Sequence, residues 1–120
     1  MAQTWWKILL FMKRRPGMSV EAFREYYENH HVPLAEKYSS GVGRYIRRYI
    51  DPQPHPETGE WGDAWDVITE LWFDNERTYR GTLAYVTTSL MPDEIIEDEK
   101  NLFDRTQFRI ATVVECESGA

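Results

Sequence analysis

The chain has 120 residues, a formal net charge of −6 and a single cysteine, Cys116. That length supports one domain, 1–120, with a core of its own. The acidic balance argues against general affinity for nucleic acid or an anionic membrane, and a lone thiol excludes an intramolecular disulfide and a thiolate-built metal site.

Trp5 to Lys13 is apolar and aromatic enough to predict a buried strand. Pro16-Gly17 turns the chain, and Ser19 is placed to cap a helix with Glu21 in its first turn. Val20, Phe23, Tyr27, Leu34 and Tyr38 recur at helical spacing, with His31 and His30 at the two edges of that stripe. Pro33 cannot donate to the carbonyl of Asn29 and disfavours helical geometry at Val32. A kink or stop is therefore predicted between Asn29 and Val32, with a free carbonyl beside an imidazole.

Ser39-Ser40-Gly41-Val42-Gly43 breaks the chain before a second strand, Arg44–Asp51, in which Tyr45, Arg47 and Tyr49 share one face. Pro52 to Gly62 holds three prolines and two glycines and reads as a long loop, a lid or an oligomer contact. Trp65–Phe73 is the clearest strand, with Asp66, Ile68, Glu70 and Trp72 on one face and Val67, Thr69, Leu71 and Phe73 on the other. Asp74 is placed to cap a helix to about Val86 with Tyr79, Leu83 and Val86 inward. A further helical segment follows Pro92, from Asp93 to about Phe103, with Ile95, Ile96, Glu99, Leu102 and Phe103 inward. Phe108–Glu115 closes as a last strand.

This order predicts an α+β, ferredoxin-like β-α-β-β-α-β fold with a split second helix and a four-stranded antiparallel sheet. A sheet with apolar residues on both faces needs cover on its second face, and a second copy of the chain supplies it. Trp5 to Met12 is too short for a signal peptide and its basic cluster follows it, so a cytoplasmic protein with no membrane span is expected.

His31 can act as a general base or acid because imidazole titrates near neutrality, or can instead satisfy the free carbonyl at the helix break. Asp66 and Glu70, on a half-buried strand face, need partners. Glu70 is expected to orient His31, against a plain ion pair with Arg47 or Arg109. Tyr27, Tyr45, Tyr49, Trp72 and Tyr85 are candidates to hold a planar substrate. Arg47 and the clusters Lys13-Arg14-Arg15 and Arg44–Arg48 are candidates to steady developing enolate charge. Five Trp, seven Tyr and five Phe fit an aromatic cavity or a large apolar interface. His30 reads as structural and His55 as incidental. No histidine pair or acidic triad has metal-ligand spacing, and the basic aromatic strand motif of RNA-recognition domains is absent.

The series Lys13-Arg14-Arg15-Pro16-Gly17, Ser19-Val20-Glu21-Ala22-Phe23, His31-Val32-Pro33-Leu34, Arg44-Tyr45-Ile46, Glu70-Leu71-Trp72-Phe73-Asp74, Asp98-Glu99 and Phe103-Asp104 resembles the EthD family of the dimeric α+β barrel superfamily. The resemblance implies a homodimer, a pocket between helices and sheet, and a functional histidine at position 31. It implies chemistry of the cofactor-independent lyase or isomerase type, such as a dehydratase, cyclase or lactone isomerase. The substrate class it implies is a hydroxylated aromatic, polyketide-like or lactone small molecule, handled without cofactor or metal. The alternatives it carries are a cofactorless monooxygenase acting on a phenol, a non-catalytic binding or accessory protein, and a haem-binding variant with His31 as axial ligand.

Overall fold

The computed structural model describes residues 3–62, 65–88 and 91–119. Four strands, β1 (Trp6–Met12), β2 (Arg44–Tyr49), β3 (Val67–Phe73) and β4 (Arg109–Thr112), form one sheet in the order β2-β3-β1-β4. All three pairings are antiparallel, and with helices between β1 and β2 and between β3 and β4 this is the ferredoxin-like arrangement.

Directly paired residues share a face, so the register divides the sheet. Met12 pairs with Val67, Leu10 with Thr69 and Ile8 with Leu71, while Tyr49, Arg47 and Tyr45 lie opposite Val67, Thr69 and Leu71. This set meets the helices, and Ile8, Met12, Val67, Thr69 and Phe73 are buried. Lys7, Leu9, Phe11, Ile46, Arg48, Ile68, Glu70 and Trp72 occupy the opposite face.

The first helical run begins as α1 (Val20–Tyr26), whose Ser19 side chain accepts from the Ala22 N–H. Such a cap contributes about 1 kcal/mol. The chain does not leave helical structure between Asn29 and Val32. A π-helical turn (Tyr27–His31) leads directly into α2 (Val32–Glu36), Val32 keeps helical angles and its N–H reaches back to the Tyr27 carbonyl. The proline interruption is thus absorbed by widening one turn, which seats Pro33 in the first turn of α2, where a missing N–H costs little.

After β3, α3 (Glu76–Val86) is capped by Asn75, which accepts from the Thr78 N–H, and not by Asp74 as expected. Then α4 (Asp93–Lys100) packs Ile95 and Glu99 inward. Met12, Phe23, Tyr27, Val32, Val67, Leu102 and Phe103 form the central core. The Pro52–Gly62 loop is exposed throughout.

Candidate functional site

A cavity of about 110 Å³ lies between α2, the π turn, α3, α4 and the helix-facing side of the sheet. Leu10, Met12, Val42, Leu71, Val86 and Ile95 give it apolar walls, and Tyr27, His31, Tyr45, Tyr85 and Glu99 supply polar groups.

His31 is brought to this cavity by the π turn and is 4% exposed. Its Nδ1 stands 2.9 Å from Asp98 Oδ2, while Asp98 Oδ1 accepts from the Tyr26 hydroxyl. A carboxylate accepting at Nδ1 fixes the neutral ring as the Nδ1–H tautomer and leaves the lone pair on Nε2. Nε2 has no hydrogen bond among the described residues. Burial lowers the His31 pKa from its ordinary 6.5, with Asp98 opposing, so the ring is a neutral base at pH 7. His30, by contrast, is exposed and stacks on Tyr26 at 4.8 Å between ring centroids.

Glu99, one residue beyond Asp98, also lines the cavity and is 3% exposed. Arg105, from a short 3₁₀ turn (Arg105–Gln107), donates to its Oε1. Burial nevertheless pushes the Glu99 carboxyl up to about 7, because desolvation outweighs a single partner from a half-exposed arginine.

The π turn is pinned from the sheet side. Arg47 donates to both Glu28 oxygens, at 2.9 and 2.7 Å, and the Tyr49 hydroxyl donates to Oε2 at 2.5 Å. The Arg47 bonds hold the Glu28 carboxyl below its ordinary 4.5 despite partial burial. Tyr27 is fully enclosed, its hydroxyl 2.6 Å from Thr69 Oγ1 and its ring edge-on to His31 at 5.3 Å.

Of the residues singled out from sequence, the fold gathers His31, Tyr27, Tyr45 and Tyr85 at the cavity. Arg47 and Tyr49 lie beside it and act on Glu28. Glu70 and Trp72 lie on the face of β3 opposite the helices, so Glu70 does not meet His31, and neither they nor Asp66 is among the residues lining the cavity. Asp66 accepts from the Arg14 N–H and guanidinium. Glu70 pairs with Arg48, not with His31, Arg47 or Arg109, and also accepts from Trp72 Nε1 at 2.8 Å. The Trp72 ring lies between Lys7 and Arg44, at 3.7 and 4.6 Å from its centroid. No arginine or lysine is among the described residues lining the cavity. Sequence reasoning missed Asp98 and Glu99 as site residues. The available signal was Glu99 itself, a carboxylate at an inward helical position beside Ile95 and Leu102.

Among the described residues no cluster of three or more His, Cys, Asp or Glu is arranged to hold a metal ion, and no helix is long and apolar enough to cross a membrane.

A family model described as EthD domain matches residues 15–106. No curated protein matches the chain. Among solved structures, an ethyl tert-butyl ether D (EthD) family protein from Bacillus halodurans C-125 is similar at 19% identity and a TM-score of 0.56, covering 92% of this chain and 99% of its own. A dimeric ferredoxin-like protein from an uncultured marine organism shares 12% identity and a TM-score of 0.52, covering 98% and 94%. The hydroxynitrile lyase from Passiflora edulis shares 7% identity and a TM-score of 0.54, covering 99% and 100%.

Proposed function

The chain belongs to the EthD family, and from this premise we propose that its cavity is a cofactor-independent lyase or isomerase site in which His31 moves a proton on a small hydroxylated carbonyl compound. The observation that carries this reading is the His31–Asp98 pair. A buried imidazole with Nδ1 occupied by a carboxylate presents Nε2 as a base of fixed direction. Asp98 also stabilises the imidazolium that forms, and the Tyr26 hydroxyl holds Asp98 in place.

The size of the cavity bears on the substrate. An apolar cavity of roughly 150 Å³ takes up a benzene ring, and about 110 Å³ therefore favours a single ring or a small lactone over a multi-ring polyketide. Tyr45 and Tyr85 offer hydroxyls to such a ligand. The lyase-type chemistry in the name of the Passiflora neighbour agrees with this class. It does not supply the substrate, because a likeness at that identity speaks to fold.

The same reading includes a homodimer. Among the described residues no helix covers the face carrying Leu9, Phe11, Ile68 and Trp72, and one structural neighbour is described as dimeric. A second sheet covers such a face at little cost in unpaired polar groups.

The test is turnover of hydroxylated aromatics, hydroxynitriles and unsaturated lactones by wild type and His31→Ala, followed by mass spectrometry with dissolved oxygen monitored. Elimination or an isobaric product, lost in the variant, supports the reading. Oxygen incorporation would instead assign a monooxygenase, and binding without turnover a carrier or accessory protein.

A further inference from the structure

We infer that Glu99 is a second catalytic residue, a buried acid that gives its proton to the substrate carbonyl oxygen while His31 takes the proton from the neighbouring carbon. The substrate is therefore electrically neutral. This rests on the proton-transfer reading above and deepens it.

Three observations converge on Glu99. It lines the same small cavity as His31, so a ligand filling about 110 Å³ lies within reach of both groups. Its Oε1 is held by Arg105, whereas Oε2 has no hydrogen bond among the described residues. And no lysine or arginine lines the cavity among the described residues. An enolate formed there would face no fixed lysine or arginine, only the His31 imidazolium that Asp98 already engages, and an anion in a largely apolar chamber is costly. A proton delivered to the carbonyl oxygen removes that cost, since the intermediate is then a neutral enol. Burial supports the assignment by keeping the carboxyl protonated up to about pH 7.

The step balances in protons and charge. The C–H bond next to the carbonyl breaks, its proton passes to His31 Nε2 and its electron pair forms the new C=C bond. The carbonyl π pair takes the Glu99 proton to form O–H. The imidazolium is met by Asp98 and the new carboxylate by Arg105, so each charge that develops already has its counterpart. Return of a proton to a different carbon gives isomerisation. Expulsion of a hydroxyl on the next carbon gives dehydration: it takes the proton from the His31 imidazolium and leaves as water, while the enol O–H re-forms C=O and returns its proton to Glu99. The same absence of cations disfavours carboxylate- or phosphate-bearing substrates, which would enter as unpaired anions beside Glu99.

The experiment follows exchange of α-hydrogens with D₂O by NMR, using cyclopentanone as a neutral probe and pyruvate as an anionic one. Wild type, His31→Ala and Glu99→Gln are compared, with amide correlation spectra to verify folding. Gln keeps the shape and a hydrogen-bond donor but cannot release a proton. The expected result is accelerated exchange of cyclopentanone and not of pyruvate, slowed about 100-fold in Glu99→Gln with little change in KM. Loss in His31→Ala with wild-type rates in Glu99→Gln would overturn the role of Glu99 and leave the base intact. No acceleration by wild type, or none lost in His31→Ala, would overturn the proton-transfer reading as well. A ¹³C titration of the Glu99 carboxyl tests the acid independently of turnover. A midpoint near 7 is expected, and one near 4.5 would overturn the proposal.

Discussion

His31 Nδ1 and Asp98 Oδ2 are 2.9 Å apart although 67 positions separate them in the chain. The pair joins the π turn of the first helical run to α4, so the ring's tautomer and aim are set by tertiary packing. Asp98→Asn tests that dependence. The amide accepts more weakly and removes the charge that stabilises the imidazolium, so kcat should fall at least about 10–100-fold with KM little changed. Measurement of both constants on whichever substrate the panel yields checks this, and a change in KM alone would point to a binding role.

Glu99 makes stability depend on pH in a predictable direction. Its carboxyl titrates at about 7 in the folded chain against an ordinary 4.5, so between these values the folded state binds more protons than the unfolded state. Its contribution favours folding fully below about pH 4.5 and is lost as pH rises through about 7. The difference amounts to about 3 kcal/mol at most. Urea melts at pH 5 and pH 8 should therefore show Glu99→Gln gaining stability relative to wild type at the higher pH. Equal differences at both values would contradict the assignment.

Tyr27→Phe removes a hydroxyl that is wholly enclosed and leaves Thr69, itself 1% exposed, without that partner. Destabilisation of about 1–2 kcal/mol is expected, read as a lower urea midpoint with an unchanged slope.

Much of the fold is legible in the sequence because the strands alternate and the helices carry 3.6-residue stripes. Glu70 shows where that reading stops. Alternation groups Asp66, Glu70 and Trp72 on one face of β3, but nothing local says which face meets the helices. That depends on register with β1 and β2. Asp98 was out of reach for a related reason, since pairing across 67 positions is a tertiary fact. Pro33 marks the place of an irregularity, and the structure shows its form, a π turn. A proline forbids one hydrogen bond, and the chain satisfies that by a wider turn as readily as by a break. The irregularity draws attention to both His30 and His31, and the family resemblance at His31-Val32-Pro33-Leu34 selects His31.

The open sheet face offers a test of assembly. Ile68→Arg places a charge in the middle of β3 on the side without helices. It should shift a wild-type dimer to monomer in sedimentation while leaving the His31–Asp98 pair intact. An unchanged dimer would move the interface elsewhere.

The proposed chemistry depends most directly on the state of one imidazole, which long-range ¹H–¹⁵N correlation spectra of His31 report across a pH titration. Predicted are a neutral ring at pH 7 with its proton on Nδ1, and a midpoint below 6.5 because burial outweighs Asp98. A proton on Nε2, or a ring still charged at pH 7, would mean that no base faces the cavity and would contradict the proposed chemistry.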